Sequence, residues 1–443
     1  MPDPGASSIG GARILQAETQ ETFSNTRAAA FLVTLVFVSI FCQVDRILPF
    51  ILAESIKKEL FLSDTQIGLM TGLAFAVCHT LLSLPIARLA DRGSPRLVLV
   101  CCILVWSATT ALGGFAASFA LLAASRLGVA LGEAGAIPSA HALIARRIPP
   151  ARRGLAIGLF SMGIPLGTMV GFAAGGAVAD TLGWRAALIG AGAVGGLLAA
   201  AVVVVTGPTP PPKAGGDAAE PFVRTSLRLL SSPSFRWLMI GGVVLGFASA
   251  PFYAFSAPFL IRTHGFTAGE VGLAFGLLQG AMGVIGTLGG GRLFDRAVAS
   301  GRGGLLRAQA VLLMIAGGTT TAGLFAPVGW MSIALFVPGM LSFAFLLPAV
   351  FGAAHLVAGP GRQALASSLL LIASGLLGPA LAPLFVGLVS DAASAAQIPN
   401  GLGLGLLIVP VASVLAGLAT LVANRRIVAA MASGRLGEAV PAT

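Results

Sequence analysis

Hydrophobic side chains make up 56% of the 443 residues and charged ones only 10%, whereas an ordinary soluble domain carries about 25% charged residues. A chain this apolar has too little polar surface to stay folded in water, which excludes a typical soluble enzyme or receptor domain. The net charge of +11 does not point to nucleic acid either, because the Lys and Arg sit in short loops between apolar runs and form no exposed basic face with groove-reading elements.

The N-terminal tail, residues 1–27, is polar and has no short apolar core before a small-residue cleavage site, so no cleaved signal peptide is expected. Twelve apolar stretches follow, near residues 28–52, 66–88, 97–117, 119–145, 154–178, 186–206, 235–261, 270–291, 304–325, 328–357, 363–389 and 401–423. Each meets or nearly meets the ~20 residues that cross ~30 Å of hydrocarbon, and they are numbered here as predicted spans 1 to 12. The expected fold class is an all-α integral membrane protein. Its domains are a six-helix N-terminal bundle over 28–206, a linker over 207–234, a six-helix C-terminal bundle over 235–423 and a tail over 424–443.

The linker opens with Pro208, Pro210, Pro211 and Pro212 and turns glycine-rich at Gly215 and Gly216, a composition that is first extended and then flexible. A short helix fits Phe222 to Leu230, where Arg224 and Arg228 stand one turn apart; a seat on anionic headgroups and a solvated linker are both compatible with it. Cys42, Cys78, Cys101 and Cys102 fall within the spans without metal-ligand spacing and read as buried packing thiols, so no metal site is expected.

Loop charge orients the chain. With the N-terminus inside, inner segments hold 21 of the 27 Lys and Arg residues, against Lys57, Lys58, Arg185 and Arg262 outside. The positive-inside rule then places both termini in the cytoplasm of a multi-pass protein of the inner membrane. The two halves are also repeats. Ala87-Arg-Leu-Ala-Asp91-Arg92 recurs as Gly291-Arg-Leu-Phe-Asp295-Arg296, and the same offset of 204 positions (87 to 291) maps Gly68-Leu69 onto Gly272-Leu273. Such tandem membrane repeats mark secondary transporters, whose substrate path lies between the halves.

Four ionisable residues fall inside the spans. An ionisable group costs at least ~2.5–3.5 kcal/mol at the centre of a membrane helix, so Asp45, Arg46, Arg126 and Glu133 are expected to face a wet cavity or one another. Asp45 and Arg46 point about 100° apart and make poor partners; depth allows Asp45 in span 1 to meet Arg126 in span 4, with Glu133 two turns deeper. A static buried ion pair between spans 1 and 4 is the structural alternative. The functional one is proton coupling at Asp45 and Glu133 with Arg46 and Arg126 as charge partners. A carboxylate whose Arg contact is made in one conformation and broken in the other gains and loses a proton as a carrier turns. No cofactor is expected beyond that proton. Weaker cavity candidates are Tyr253, with Phe252 and Ser256 beside it in span 7, and Gln279 in span 8; His79, His141 and His355 read more simply as packing residues.

The run Ala87-Arg-Leu-Ala-Asp91-Arg92-Gly93-Ser94-Pro95-Arg96 resembles the loop signature of the major facilitator superfamily, with Ala87, Ser94 and Pro95 departing from its usual residues. Asp45-Arg46, Arg126-Leu-Gly-Val-Ala-Leu-Gly-Glu133 and Arg152-Arg153-Gly154 look like its spinster branch, whose members resemble animal transporters of lysophospholipids and sphingosine phosphate. The resemblance implies two pseudo-symmetric six-helix bundles. It also implies a cytoplasmic gate in which Asp91, beside Arg92, engages the start of span 11 near Arg362, and Asp295, beside Arg296, engages the start of span 5 near Arg152 and Arg153.

The expected activity is secondary active transport by alternating access, proton-coupled, of an amphipathic lysophospholipid-like or sphingoid-like solute. A carrier of drugs or small organic anions, for which Arg46 and Arg126 could bind a carboxylate or phosphate, is the alternative, and a non-transporting receptor or enzyme a distant one. The partners are the bilayer and a small substrate, with no nucleic acid, and the chain is expected to act as a monomer.

Overall fold

In hydrocarbon no water satisfies backbone N–H and C=O groups, so an apolar stretch must close its hydrogen bonds within itself. The computed structural model follows that rule: among the described residues (25–207, 222–301, 303–359 and 362–433) every long apolar stretch is helical and no strand occurs. The tail before residue 25, the Pro- and Gly-rich linker core at 208–221 and the tail after 433 lie outside the described residues.

The N-terminal half consists of α1 (Asn25–Leu60), α2 (Asp64–Arg92), α3 (Pro95–Gly114), α4 (Phe119–Arg147), α5 (150–182) and α6 (184–206). The last two are continuous except at a turn at Met162 within α5 and at Gly183, whose φ of 86° turns the chain back on itself; glycine tolerates this left-handed backbone where other residues are strained. The C-terminal half consists of α7 (Pro233–His264), α8 (Ala268–Ala299), α9 (Arg307–Leu324), α10 (Gly329–Ala358), α11 (Gln363–Ala395) and α12 (Gly401–Ala432).

Ten described helices are long and apolar enough to cross a bilayer. Two facts reconcile that count with twelve crossings: the 55-residue run Arg152–Thr206 holds two crossings folded at Gly183, and the 18-residue α9, whose first turn carries Arg307 and Gln309, is the remaining one. The apolar side chains left exposed, among them Val33, Leu104, Leu197, Ile315 and Val411, form the outer surface that acyl chains would cover.

Several helices run past their expected ends, among them α8, which continues to Ala299, and α11, which continues to Ala395. α1 runs on to Leu60, and α12 continues past Arg425 and Arg426 to Ala432 because Ile427 is buried and anchors the extra turns. The expected short linker helix is present as Phe222–Ser231. It is not simply solvated, since Leu229 packs into the C-terminal core beside Phe235 and Leu370.

Two pseudo-equivalent crossings, α2 with α11 and α5 with α8, join the halves. Gly176 on α5 lies against the backbone of Ala268, and Gly272 on α8 lies against that of Phe172, so that a Cβ at either position would strike main chain. Those contacts run from one end of the molecule to mid-depth, as far as Gly283 against Pro165. Beyond that point Gly154 and Gly158 face open space, and Asp91, Arg92, Asp295 and Arg296 are exposed. The bundles are therefore closed at the end bearing the α1–α2 and α7–α8 loops and parted at the end bearing the α2–α3 and α8–α9 loops.

Candidate functional site

Below the closed end lies a cavity of about 490 Å³ between the halves. Backbone irregularities border it: a π-helical turn, Leu69–Ala74, in α2, a break at Gly135 in α4, and prolines inside helices, Pro49 in α1 and Pro379 and Pro383 in α11. Irregular backbone at membrane depth is tolerated where it lines a cavity, and π turns concentrate at functional sites.

The two walls differ chemically. The N-terminal half contributes every charged group, Arg46, Arg126 and Glu133, with Gln43, Thr71, His79, Thr80 and Ser83, set among apolar side chains such as Ile47, Phe50, Phe75 and Ile137, whereas the C-terminal half contributes Ala250, Leu371, Ile372, Gly375, Pro379 and Pro383, with Ser249 and Tyr253 as its polar groups. One wall can bind charge and the other can bind hydrocarbon.

On the polar wall, Arg46 donates to Glu133 Oε2 from Nε at 2.9 Å and from Nη2 at 2.8 Å. Its Nη2 also stands 3.2 Å from His79 Nε2. Arg126 donates through Nη1 to the backbone carbonyl of Asp45 at 3.3 Å. Both guanidinium groups lie over the ring of Phe75, 5.2 and 5.4 Å from its centroid, a separation at which cation–π attraction operates. Glu133 Oε1, Arg126 Nε and Asp45 Oδ1 are buried without hydrogen-bond partners among the described residues.

The four intramembrane ionisable residues are thus gathered, but not all as expected. Arg46, Arg126 and Glu133 line the cavity, while Asp45 is 1% exposed and does not. Because successive helical residues diverge by about 100°, turning Arg46 toward the cavity turns Asp45 into the N-terminal bundle, where Arg126 meets its carbonyl and not its carboxylate. Tyr253 is on the cavity wall. Its neighbour Phe252 points into the C-terminal core against Phe275, Phe336 and Phe343, and Ser256 is likewise buried. Gln279 sits behind Tyr253 and donates to its hydroxyl at 2.6 Å, so it supports the wall without forming it. Of the cysteines, Cys42 and Cys102 are buried, but Cys101 is exposed on the outer surface.

The expected gate residues are at the parted end and do not meet in this conformation. Arg146 caps the end of α2 through the carbonyls of Ala90, Asp91 and Gly93, Arg153 donates to the Ile148 carbonyl, Arg152 is exposed, and Arg362 occupies the N-cap position of α11.

At the closed end stands a network that sequence reasoning missed. Arg262 on α7 donates to Asp64 at 2.8 and 2.9 Å and to Glu54 at 2.9 Å. Lys57 and Ser390 also donate to Asp64, at 2.6 and 2.7 Å. Asp391 on α11 accepts from the N–H groups of Asp64 and Thr65 at 2.9 and 2.8 Å, capping α2 from the opposite bundle. Asp180 on α5 does the same for α8, accepting from the Gly269 N–H at 2.7 Å. One signal was legible: Ser63-x-x-Gln66 and Thr267-x-x-Glu270 are capping boxes at the repeat offset, and they mark paired helix starts that a carboxylate can cap.

A profile of the Major Facilitator Superfamily matches residues 29–383. The chain belongs to the Major Facilitator Superfamily. It is therefore a multi-pass membrane transporter and not an enzyme, and a small-molecule substrate follows from the family. It is 35% identical over 395 residues, 88% of this chain and 91% of the relative, to a protein of Mycolicibacterium smegmatis (strain ATCC 700084 / mc(2)155) named an MFS-type efflux pump. The fold resembles the crystal structure of a bacterial homolog of the human lysosomal transporter Spinster in an inward-facing, unoccupied conformation, with a TM-score of 0.78 and 25% identity over 95% of this chain and 99% of that one. The inward-facing, occupied form of a bacterial Spinster homolog gives 0.76 and 26% over the same shares. The nucleoside transporter NupG, at 14% identity and a TM-score of 0.70, covering 89% of this chain and 99% of that one, shares the fold.

Proposed function

We propose that this facilitator is a proton-coupled carrier of the bacterial inner membrane that moves an amphipathic lipid-like solute, of lysophospholipid or sphingoid type, by alternating access. The observation that carries this is the division of the cavity into a charged N-terminal wall and an apolar C-terminal wall. Its volume of about 490 Å³ lies within the ~300–1,000 Å³ of small-molecule sites. A polar head would lie against Arg46, Arg126 and Glu133, and a tail against Leu371, Ile372 and Pro379. The loop charges support a cytoplasmic position for the parted end and both termini, and on that reading the conformation faces inward.

Coupling follows from competition for Arg46. An anionic head and the Glu133 carboxylate both seek the same guanidinium, so a proton on Glu133 releases Arg46 to the head, and proton and solute bind together. A cationic head would instead compete with the proton for Glu133. The sign of the pH dependence therefore reports the charge of the head. The name of the mycobacterial relative supports a second reading, export of drugs or small organic anions through the same cavity.

Flux into proteoliposomes, with and without a pH gradient, across lysophospholipids, sphingoid bases, organic anions and cationic drugs tests both readings. Saturable, gradient-driven movement of an amphipath is expected. Movement of small hydrophilic anions alone would demote the lipid reading.

A further inference from the structure

Phe75 and His79 on α2 have no part in the function proposed above, yet both contact its central charge. The π turn Leu69–Ala74 immediately precedes them. Its extra residue rotates the following helix by about 100°, and the rotated face brings Phe75 under both arginines and His79 onto Arg46. The two rings are stacked, 5.6 Å apart at 19°, so the imidazole is held in plane.

The hydrogen bonding fixes the state of that imidazole. Arg46 keeps its protons at any physiological pH and can only donate. One Nη2 hydrogen goes to Glu133 at 2.8 Å, which leaves the other for His79 Nε2 at 3.2 Å. His79 Nε2 must then offer a lone pair, with the ring proton on Nδ1. A proton on Nε2 would set two donors, and two positive charges, against each other at that distance.

We propose that His79, seated on Phe75, is a positioning residue for Arg46: as neutral imidazole it holds the guanidinium on Glu133, and on gaining a proton it expels it. This depends on the proton-coupled reading of Arg46 and Glu133. The ionisable groups lining the site are Arg46 on α1, Arg126 and Glu133 on α4 and Tyr253 on α7, with the Cys42 thiol and the Asp45 carboxyl buried behind them on α1, while the α11 wall supplies none among the described residues. Protonation of either Glu133 or His79 loosens Arg46, so the two act in the same direction. His79 thereby makes the release of Arg46 steeper in pH than a single carboxylate would.

Nitrogen NMR of the full chain labelled with ¹⁵N-histidine, in lipid nanodiscs, reads the tautomer directly, because the four histidines can be assigned by replacing each with Gln in turn. The Nδ1–H tautomer at His79 is expected at neutral pH, lost in Arg46→Gln; an Nε2–H tautomer with Arg46 intact would overturn the seat. The companion measurement is initial flux of a fluorescent lysophosphatidylglycerol across a pH series. His79→Leu, without an acceptor, should loosen Arg46 from Glu133 and raise flux at neutral pH by up to about tenfold, the size of one hydrogen bond to a charged group. His79→Gln, a permanent acceptor, should keep neutral-pH flux near the parent's and flatten the acid limb. A steep acid limb surviving in His79→Gln refutes the switch. A parent flux with no pH response removes the coupled reading, while the tautomer still decides the seat.

Discussion

Glu133 spends one oxygen on two hydrogen bonds from Arg46 and leaves the other buried without a donor, and the Asp45 carboxylate has a similarly orphaned oxygen on the far side of α1. A buried unsatisfied polar atom costs ~1–3 kcal/mol, a penalty that a carrier can relieve by adding a proton or by changing conformation. Glu133→Gln is expected to fold, because the amide keeps the shape, but it leaves Arg46 without a counter-charge. Flux should fall at least tenfold and lose its pH response. Asp45→Asn should fold and lose pH-driven transport while still binding solute, read by comparing equilibrium binding of a fluorescent lysolipid with its gradient-driven uptake. The cost of burying charge in hydrocarbon was enough to single out these residues from sequence. It could not choose their partners, because Asp45 and Arg46 are neighbours and only the rotation of α1 decides which enters the cavity. Gln279 was legible as polar, but its place behind Tyr253 depends on how α7 packs on α8.

The closed-end network spans α1, α2, α7 and α11, with the Asp64 side chain 2% and the Glu54 side chain 8% exposed. Removing one partner from such a buried group leaves an uncompensated charge and costs ~3–5 kcal/mol, whereas separating the bundles rehydrates every member and costs less. Arg262→Gln should therefore favour the conformation in which this end opens. Spin-label distances between α1 and α7 at that end are expected to lengthen in the variant, and unchanged distances would reduce the network to a folding contact. The opposite gate is proposed to form only when the bundles close at the other end, with Asp91 reaching toward α11 and Asp295 toward α5. Asp91→Asn should then deepen the population of the present conformation by ~1–3 kcal/mol, the scale of a charge-assisted bond. Label distances between α4 and α10 at the parted end report it. The crossings that make this rocking possible were half-visible in sequence as Gly68 and Gly272 of the repeat. Their partners, the Pro383 main chain for Gly68 and Gly176 for Gly272, were not, since a glycine's contact on another helix leaves no local pattern.

The molecule as a whole follows from hydropathy, loop charge and the repeated Asp91 and Asp295 loops: these were sufficient for twelve crossings in two halves, because membrane helices are specified locally by length and apolarity. What sequence left open was global. The conformation, the asymmetry of the cavity walls and the caps donated by Asp391 and Asp180 all depend on how one bundle lies against the other. The proposed alternating-access cycle would tie these together, with the closed-end network breaking as the parted end closes around a solute that the proposal puts between Arg46 and the α11 wall. The most direct test of proton coupling through that cavity follows protons and solute together, in proteoliposomes loaded with a pH-sensitive dye and given an inward gradient of fluorescent lysophosphatidylglycerol at equal internal and external pH. Coupled carriage predicts internal acidification in step with solute entry, abolished in Glu133→Gln. Solute entry with no movement of protons in the parent protein would contradict it.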